Sequence, residues 1–103
     1  MKLEINLKEP TLYAIFLNKV EGKELSKEII ENHVSHLRSL DEQNKLVLSG
    51  PFSDHGSGLV IVTVSDKSEA ISIAESDPFV KEGVRSFEVR SWQIAHRENN
   101  YLG

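Results

Sequence analysis

Laid out at ~100° per residue, Leu25, Ile29, Ile30, Val34, Leu37 and Leu40 fall within one arc about half a turn wide. Such a pattern commits residues 25–43 to an amphipathic helix whose apolar side must bury against another layer. His33 points along the middle of that arc, and His36 falls near its edge. A polar group buried without a partner costs on the order of 1–3 kcal/mol. His33 therefore requires a partner, an opening into a cavity, or both. Helix geometry alone leaves two readings open. One is a hydrogen-bonded core histidine, the commoner outcome for a single His on an apolar face. The other is a site histidine in a pocket under the helix.

The helix has punctuation at both ends. Ser26 is a fitting N-cap, and Asn44 tolerates the left-handed backbone that a helix stop needs. Before it, TLYAIFLNK (11–19) reads as a central strand, apolar on both faces at its middle. Gly22 centres the loop between the two. After the helix, residues 45–50 form a second strand, which ends or kinks at Pro51 because proline has no N–H for a ladder. Residues 53–58, SDHGSG, are a flexible turn, and LVIVTV (59–64) is a β-branched third strand. Asp66 and Glu69 form a capping box for a second helix running to about residue 75. Asp77-Pro78 signals the start of a short further helical turn, which Gly83 closes. Residues 84–94 are the last strand, with Phe87 and Val89 alternating ahead of Trp92 and Ile94.

The order strand, helix, strand, strand, helix, strand is the ferredoxin-like βαββαβ arrangement, an α+β fold with an antiparallel sheet and two helices on one face. The opposite face is left open. Tyr13, Ile15, Leu17, Val60, Val62 and Trp92 are expected to line it. A patch of that size calls for a partner, and a homodimer with two sheets packed face to face is expected. The domain spans 11–95. Residues 1–10 alternate Leu3, Ile5 and Leu7 with polar residues and read as an N-terminal extension or edge strand. Residues 96–103 read as a polar, mobile C-terminal tail.

The totals exclude several classes of function. With 103 residues the chain makes one domain. A net charge of −4 and scattered basic residues argue against nucleic acid or an anionic membrane as the main partner. Without cysteine there is no disulfide framework, zinc-thiolate site or Cys nucleophile. MKLEINLKEP has no apolar run of the kind a signal peptide needs, and no stretch approaches membrane-spanning length, so a cytoplasmic protein is expected. HGSGLV is too short for a dinucleotide fingerprint and precedes a strand. His33, His36 and His55 with Asp54 or Asp77 are only loosely compatible with metal binding, and no metal site is expected.

Asp77 is the evident partner for His33. An Asp before Pro is foremost a helix N-cap, but a capping carboxylate can also orient an imidazole. In this fold the first helix lies beside the second, so the two side chains are within reach. A His oriented by a carboxylate is a general acid/base unit. Ser49 and Ser53 are possible substrate contacts rather than nucleophiles.

His33, its spacing to Ser49-Gly50-Pro51, and Asp77-Pro78-Phe79 before the last strand together resemble the YciI-like (YCII-related) proteins, small dimers of the dimeric α+β barrel superfamily. The resemblance covers roughly residues 12–94. His36 does not match the family histidine, since only His33 stands at the right distance from Gly50-Pro51. Asn44 stands where the family usually has Gly, and residues 1–10 have no counterpart. The resemblance implies that His33 and Asp77 are the catalytic pair and that no cofactor is bound. It also implies acid/base chemistry, such as elimination or isomerisation, on small aromatic or lactone-like molecules. Ser49, Gly50 and Pro51 would then shape the pocket wall, Gly50 by letting the backbone approach a ligand, with Phe52 and Phe79 supplying apolar contact. The alternative is a non-catalytic dimeric module binding a small ligand or another protein, in which the His33–Asp77 pair is a sealed structural hydrogen bond.

Overall fold

Apolar residues on both of its faces make β1 (Thr11–Lys19) the centre of the sheet. It pairs antiparallel with β3 (Gly58–Val62) on one side and with β4 (Arg85–Gln93) on the other. β2 (Leu46–Pro51) joins outside β3, giving the order β2-β3-β1-β4. This computed structural model describes residues 11–103; the segment 1–10, read above as an extension or edge strand, lies outside them. The remaining elements are α1 (Lys27–Glu42), α2 (Lys67–Ser76) and the short α3 (Pro78–Lys81). The architecture is the expected ferredoxin-like α+β fold.

Each helix end is held by the residue chemistry that marks it. Ser26 Oγ accepts the Ile29 N–H at 3.1 Å. At the far end of α1, Asn44 adopts φ 60°. The Asn44 N–H then reaches Asp41 O at 3.0 Å and the Lys45 N–H reaches Leu40 O at 2.9 Å. This pair of bonds satisfies carbonyls that the helix leaves over and turns the chain into β2. Asp66 Oδ1 caps α2 through the Glu69 N–H at 2.9 Å. The Glu69 carboxylate does not return to the cap. It accepts from Ser65 Oγ at 3.0 Å and meets Lys45 Nζ at 3.2 Å, and the Lys45 hydrogen bond holds its pKa below the ordinary carboxylate value.

The main core lies between the helices and one sheet face. Ile15, Leu17, Val60, Val62 and Val89 pack there against Leu40, Ala70, Ile73, Ala74 and Phe79, with Tyr13 alongside. This corrects the expected facing. Tyr13, Ile15, Leu17, Val60 and Val62 lie under the helices, and the second face carries Leu12, Ala14, Phe16, Val47, Leu59 and Ile61. Only Trp92, paired with Leu12, sits on the second face as expected, 47% exposed. The cause is the period of two. Where both faces of a strand are apolar, the pattern carries no phase, and a shift of one residue exchanges the faces. A bulge between Leu46 and Leu48 puts Leu46 on the helix side and Leu48 opposite Ile61 on the second face.

The C-terminal segment carries a local turn. His96 N donates to Asn99 Oδ1 at 3.0 Å, and Asn99 Nδ2 donates to Ile94 O at 2.8 Å. Arg97–Asn99 thereby forms a 3-10 turn. No helix among the described residues is long and apolar enough to cross a membrane.

Candidate functional site

The apolar arc of α1 is wider than the stripe that packs. Leu40 is buried, but Ile30 and Val34, at one end of the arc, are 41% and 43% exposed. They border a cavity of about 390 Å³ between α1, the β2–β3 edge and the start of β4. Leu17 and Val60 form its floor, Ser49, Pro51 and Gly58 one wall, and His33 and Leu37 its α1 side. Its size lies within the usual range for small-molecule sites.

His33 Nδ1 lies 2.8 Å from Asp77 Oδ1, with side-chain exposures of 13% and 3%. Asp77 stands between α2 and α3, and the same Oδ1 accepts the Phe79 N–H at 2.9 Å as the cap of α3. A carboxylate can only accept, so the nitrogen facing it carries the proton and Nε2 of a neutral His33 holds a lone pair. Nε2 has no hydrogen-bond partner among the described residues, and His33 lines the cavity. The Phe79 ring stacks on the imidazole with centroids 3.8 Å apart and planes 6° from parallel. The ring plane is thus fixed by an acceptor at its edge and a phenyl on its face.

The structure gathers most of the residues singled out from sequence. His33, Ser49, Gly50, Pro51 and Phe79 all border the cavity, and Asp77 stands behind His33. Phe52 does not. It follows the end of β2 at 40% exposure, outside the cavity lining, because the strand ends at Pro51 and the chain turns away through a Phe52 N–H bond to Ser57 O at 2.7 Å. Gly50 borders the cavity with its backbone. It pairs with Leu59, a second-face position, so a side chain there would point away from the helix side of the sheet. A Cβ at Gly50 would meet nothing within 4 Å.

Two cavity residues were missed. Ser57, 5% exposed, accepts the Lys19 N–H at 2.9 Å and meets His55 Nδ1 at 3.0 Å. Nothing in SDHGSG separates it from an ordinary turn serine. Arg85, 7% exposed, donates to Val84 O at 2.7 Å and to Gly56 O at 2.9 Å, and its guanidinium carbon lies 5.8 Å from the Phe79 ring centroid. A signal for Arg85 existed. It shares the inward phase of Phe87 and Val89 on β4 and is therefore a charge at an inward position.

His36 lies on the neighbouring strip of α1, partly buried. Burial pushes its pKa below the ordinary value of 6.5, against the opposing pull of the Asp77 charge. Among the described residues no group of three His, Cys, Asp or Glu side chains is placed to hold a metal ion.

An antiparallel α+β sheet with helices on one face, and a carboxylate-oriented imidazole at a small cavity, define the class of domain to which this chain belongs. A sequence model of the YCII-related domain matches residues 11–93, and the chain belongs to that family. Similarity extends to the uncharacterized protein YjpA of Bacillus subtilis (strain 168), 24% identical over 83 residues, covering 81% of this chain and 98% of that one. Among solved structures, the chain is similar to 5-chloro-2-hydroxyhydroquinone dehydrochlorinase from Burkholderia phenoliruptrix AC1100 in complex with 2,5-dihydroxybenzoquinone. The TM-score is 0.61 at 24% identity, over 85% of this chain and 97% of the other. At that identity the likeness establishes the shared fold.

Proposed function

We propose that this protein is a cofactor-independent enzyme that moves protons on a small molecule, in lyase- or isomerase-type chemistry. The observation that carries this reading is the 2.8 Å His33–Asp77 contact at the wall of a cavity of about 390 Å³. A histidine kept only for structure has both ring nitrogens bonded or sealed, whereas His33 turns one nitrogen to Asp77 and borders open space. The shared fold of the dehydrochlorinase is compatible with this reading, and the chemistry rests on the residues of this chain.

In the proposed reaction Nε2 of His33 takes a proton from a substrate carbon or hydroxyl. The electron pair left behind forms an enolate, or expels a leaving group from the neighbouring carbon. The resulting imidazolium is stabilised by the Asp77 carboxylate across Nδ1–H. Returning the proton to another atom completes an isomerisation; returning it to the leaving group completes an elimination. Phe79 keeps the imidazole plane fixed by stacking on it.

The test is proton exchange in deuterium oxide across a panel of hydroxylated aromatics and lactones, followed by proton NMR. The parent is expected to speed loss of one substrate C–H signal, and His33→Asn, folded by circular dichroism, is expected to lose that activity. Equal rates in parent and variant would remove His33 from the chemistry. Thermal destabilisation of His33→Asn, with no exchange activity in the parent, would favour the structural reading instead.

Two copies of the chain are proposed to pair across the second sheet face. The half-exposed Trp92 and the 41% exposed Leu48 on that face support this.

A further inference from the structure

Arg85 places a guanidinium in a site whose other side chains are mostly apolar. The residue is only 7% exposed, yet it borders the cavity. No carboxylate lies within ion-pair distance of it among the described residues: the ion pairs found there are Lys27–Glu31, His33–Asp77, Lys45–Glu69 and Arg90–Glu88. Its hydrogen bonds go instead to two neutral carbonyls, Val84 O and Gly56 O. Guanidinium carries five N–H donors, so three are not used by these bonds. The group cannot shed its charge, since arginine stays protonated at any ordinary pH.

A buried charge normally sits opposite a counter-charge, because desolvation is costly and carbonyl dipoles offset it only in part. This chain has the means to supply one, with 16 acidic against 12 basic side chains. Among the described residues a cavity, and no carboxylate, stands at this position. The same Phe79 ring that stacks on His33 has the Arg85 guanidinium 5.8 Å from its centroid. The proton-transfer group and the fixed cation therefore border the same space through one shared side chain.

We infer that the missing counter-charge is the ligand: the cavity takes a small, flat molecule bearing an anionic oxygen group, a carboxylate or a phenolate or enolate, held by Arg85. This rests on the reading of His33 as the proton-transfer group and narrows its substrate class. Arg85 is then the specificity-determining residue. A planar guanidinium matches two oxygens of one group. It would also stabilise negative charge growing on a substrate oxygen as His33 Nε2 removes the proton.

The probes are benzoate and its uncharged isostere benzamide, titrated into the full chain and followed by NMR shifts and calorimetry. The parent is expected to bind benzoate at least about tenfold more tightly than benzamide. In Arg85→Gln that preference should vanish while benzamide binding persists. Equal binding of the two probes by the parent, or a preference that survives in Arg85→Gln, would overturn the inference. Arg85→Gln also gives up backbone bonds, so a second readout is needed if it does not fold. The Arg85 side-chain N–H signals of the parent should shift with benzoate and not with benzamide; unchanged signals would overturn the inference equally. His33→Asn separates this inference from the proposed reaction. If it keeps the benzoate preference while the parent shows no proton exchange, anion binding stands and the acid/base reading falls. If the parent exchanges protons but shows no preference, the acid/base reading stands and the anionic substrate class falls.

Discussion

His33 and Phe79 lie ring on ring at 3.8 Å, and one oxygen of Asp77 accepts from both, from the imidazole of the first and the backbone N–H of the second. Capping α3 and orienting the imidazole are therefore one device. The capping role of Asp77 and the role proposed for it beside His33 coincide because α3 begins beside the middle of α1.

That device can be taken apart by substitution. Asp77→Ala removes the cap and leaves His33 Nδ1–H without its acceptor, and is expected to cost about 2–4 kcal/mol. Asp77→Asn keeps an uncharged oxygen that can accept from both donors, so it should cost clearly less. Urea unfolding of both variants measures the difference. Equal losses would mean that the charge, not the capping oxygen, holds the region together.

The tautomer of His33 follows from the same contact. Neutral His33 should carry its proton on Nδ1, and the nitrogen-15 shifts of its ring report which nitrogen is protonated. A proton found on Nε2 would contradict the orientation and remove the lone pair from the cavity side.

A separate pH effect belongs to His36. Burial holds its pKa in the fold below 6.5, so the unfolded chain binds a proton there more readily than the folded chain. Stability from this group is thus fully present above pH 6.5 and is lost as pH falls through 6.5 towards the lower folded value. His36→Gln should show a shallower loss of stability over that window than the parent in urea titrations at stepped pH. Parallel slopes in the two proteins would mean that His36 does not titrate differently on folding.

Pairing of two copies through the second face makes a claim about mass. The parent should elute as a dimer in size-exclusion chromatography with light scattering. Leu48→Glu combined with Trp92→Glu should yield a folded monomer, because each side chain is about half exposed and contributes little to the core of its own chain. A monomeric parent, or a double variant that stays dimeric, would move the interface elsewhere or remove it.

By itself the sequence determined what depends on neighbours along the chain. The helical arc from Ile29 to Leu40, the caps at Ser26, Asp66 and Asp77, the turn at Asn44 and the order of strands and helices all appear in the structure, although α1 starts at Lys27 and leaves Leu25 ahead of its cap. Each rests on a backbone period or on a side chain bonding a backbone group a few residues away, and such effects are written in short windows. His33 could be singled out in the same way, as a polar group on an apolar stripe that requires a partner.

Tertiary structure alone decided the rest. Ile15 and Val60 lie under the helices, and Leu12 and Ile61 on the other face. An alternation that is apolar on both sides contains no phase, and only the packing of the helix layer selects one. Packing also left Ile30 and Val34 beside open space instead of against the sheet. It brought Arg85 to the same cavity as His33, through Phe79. These are distances between residues far apart in the chain, set by how one layer settles on another, and no local pattern encodes them.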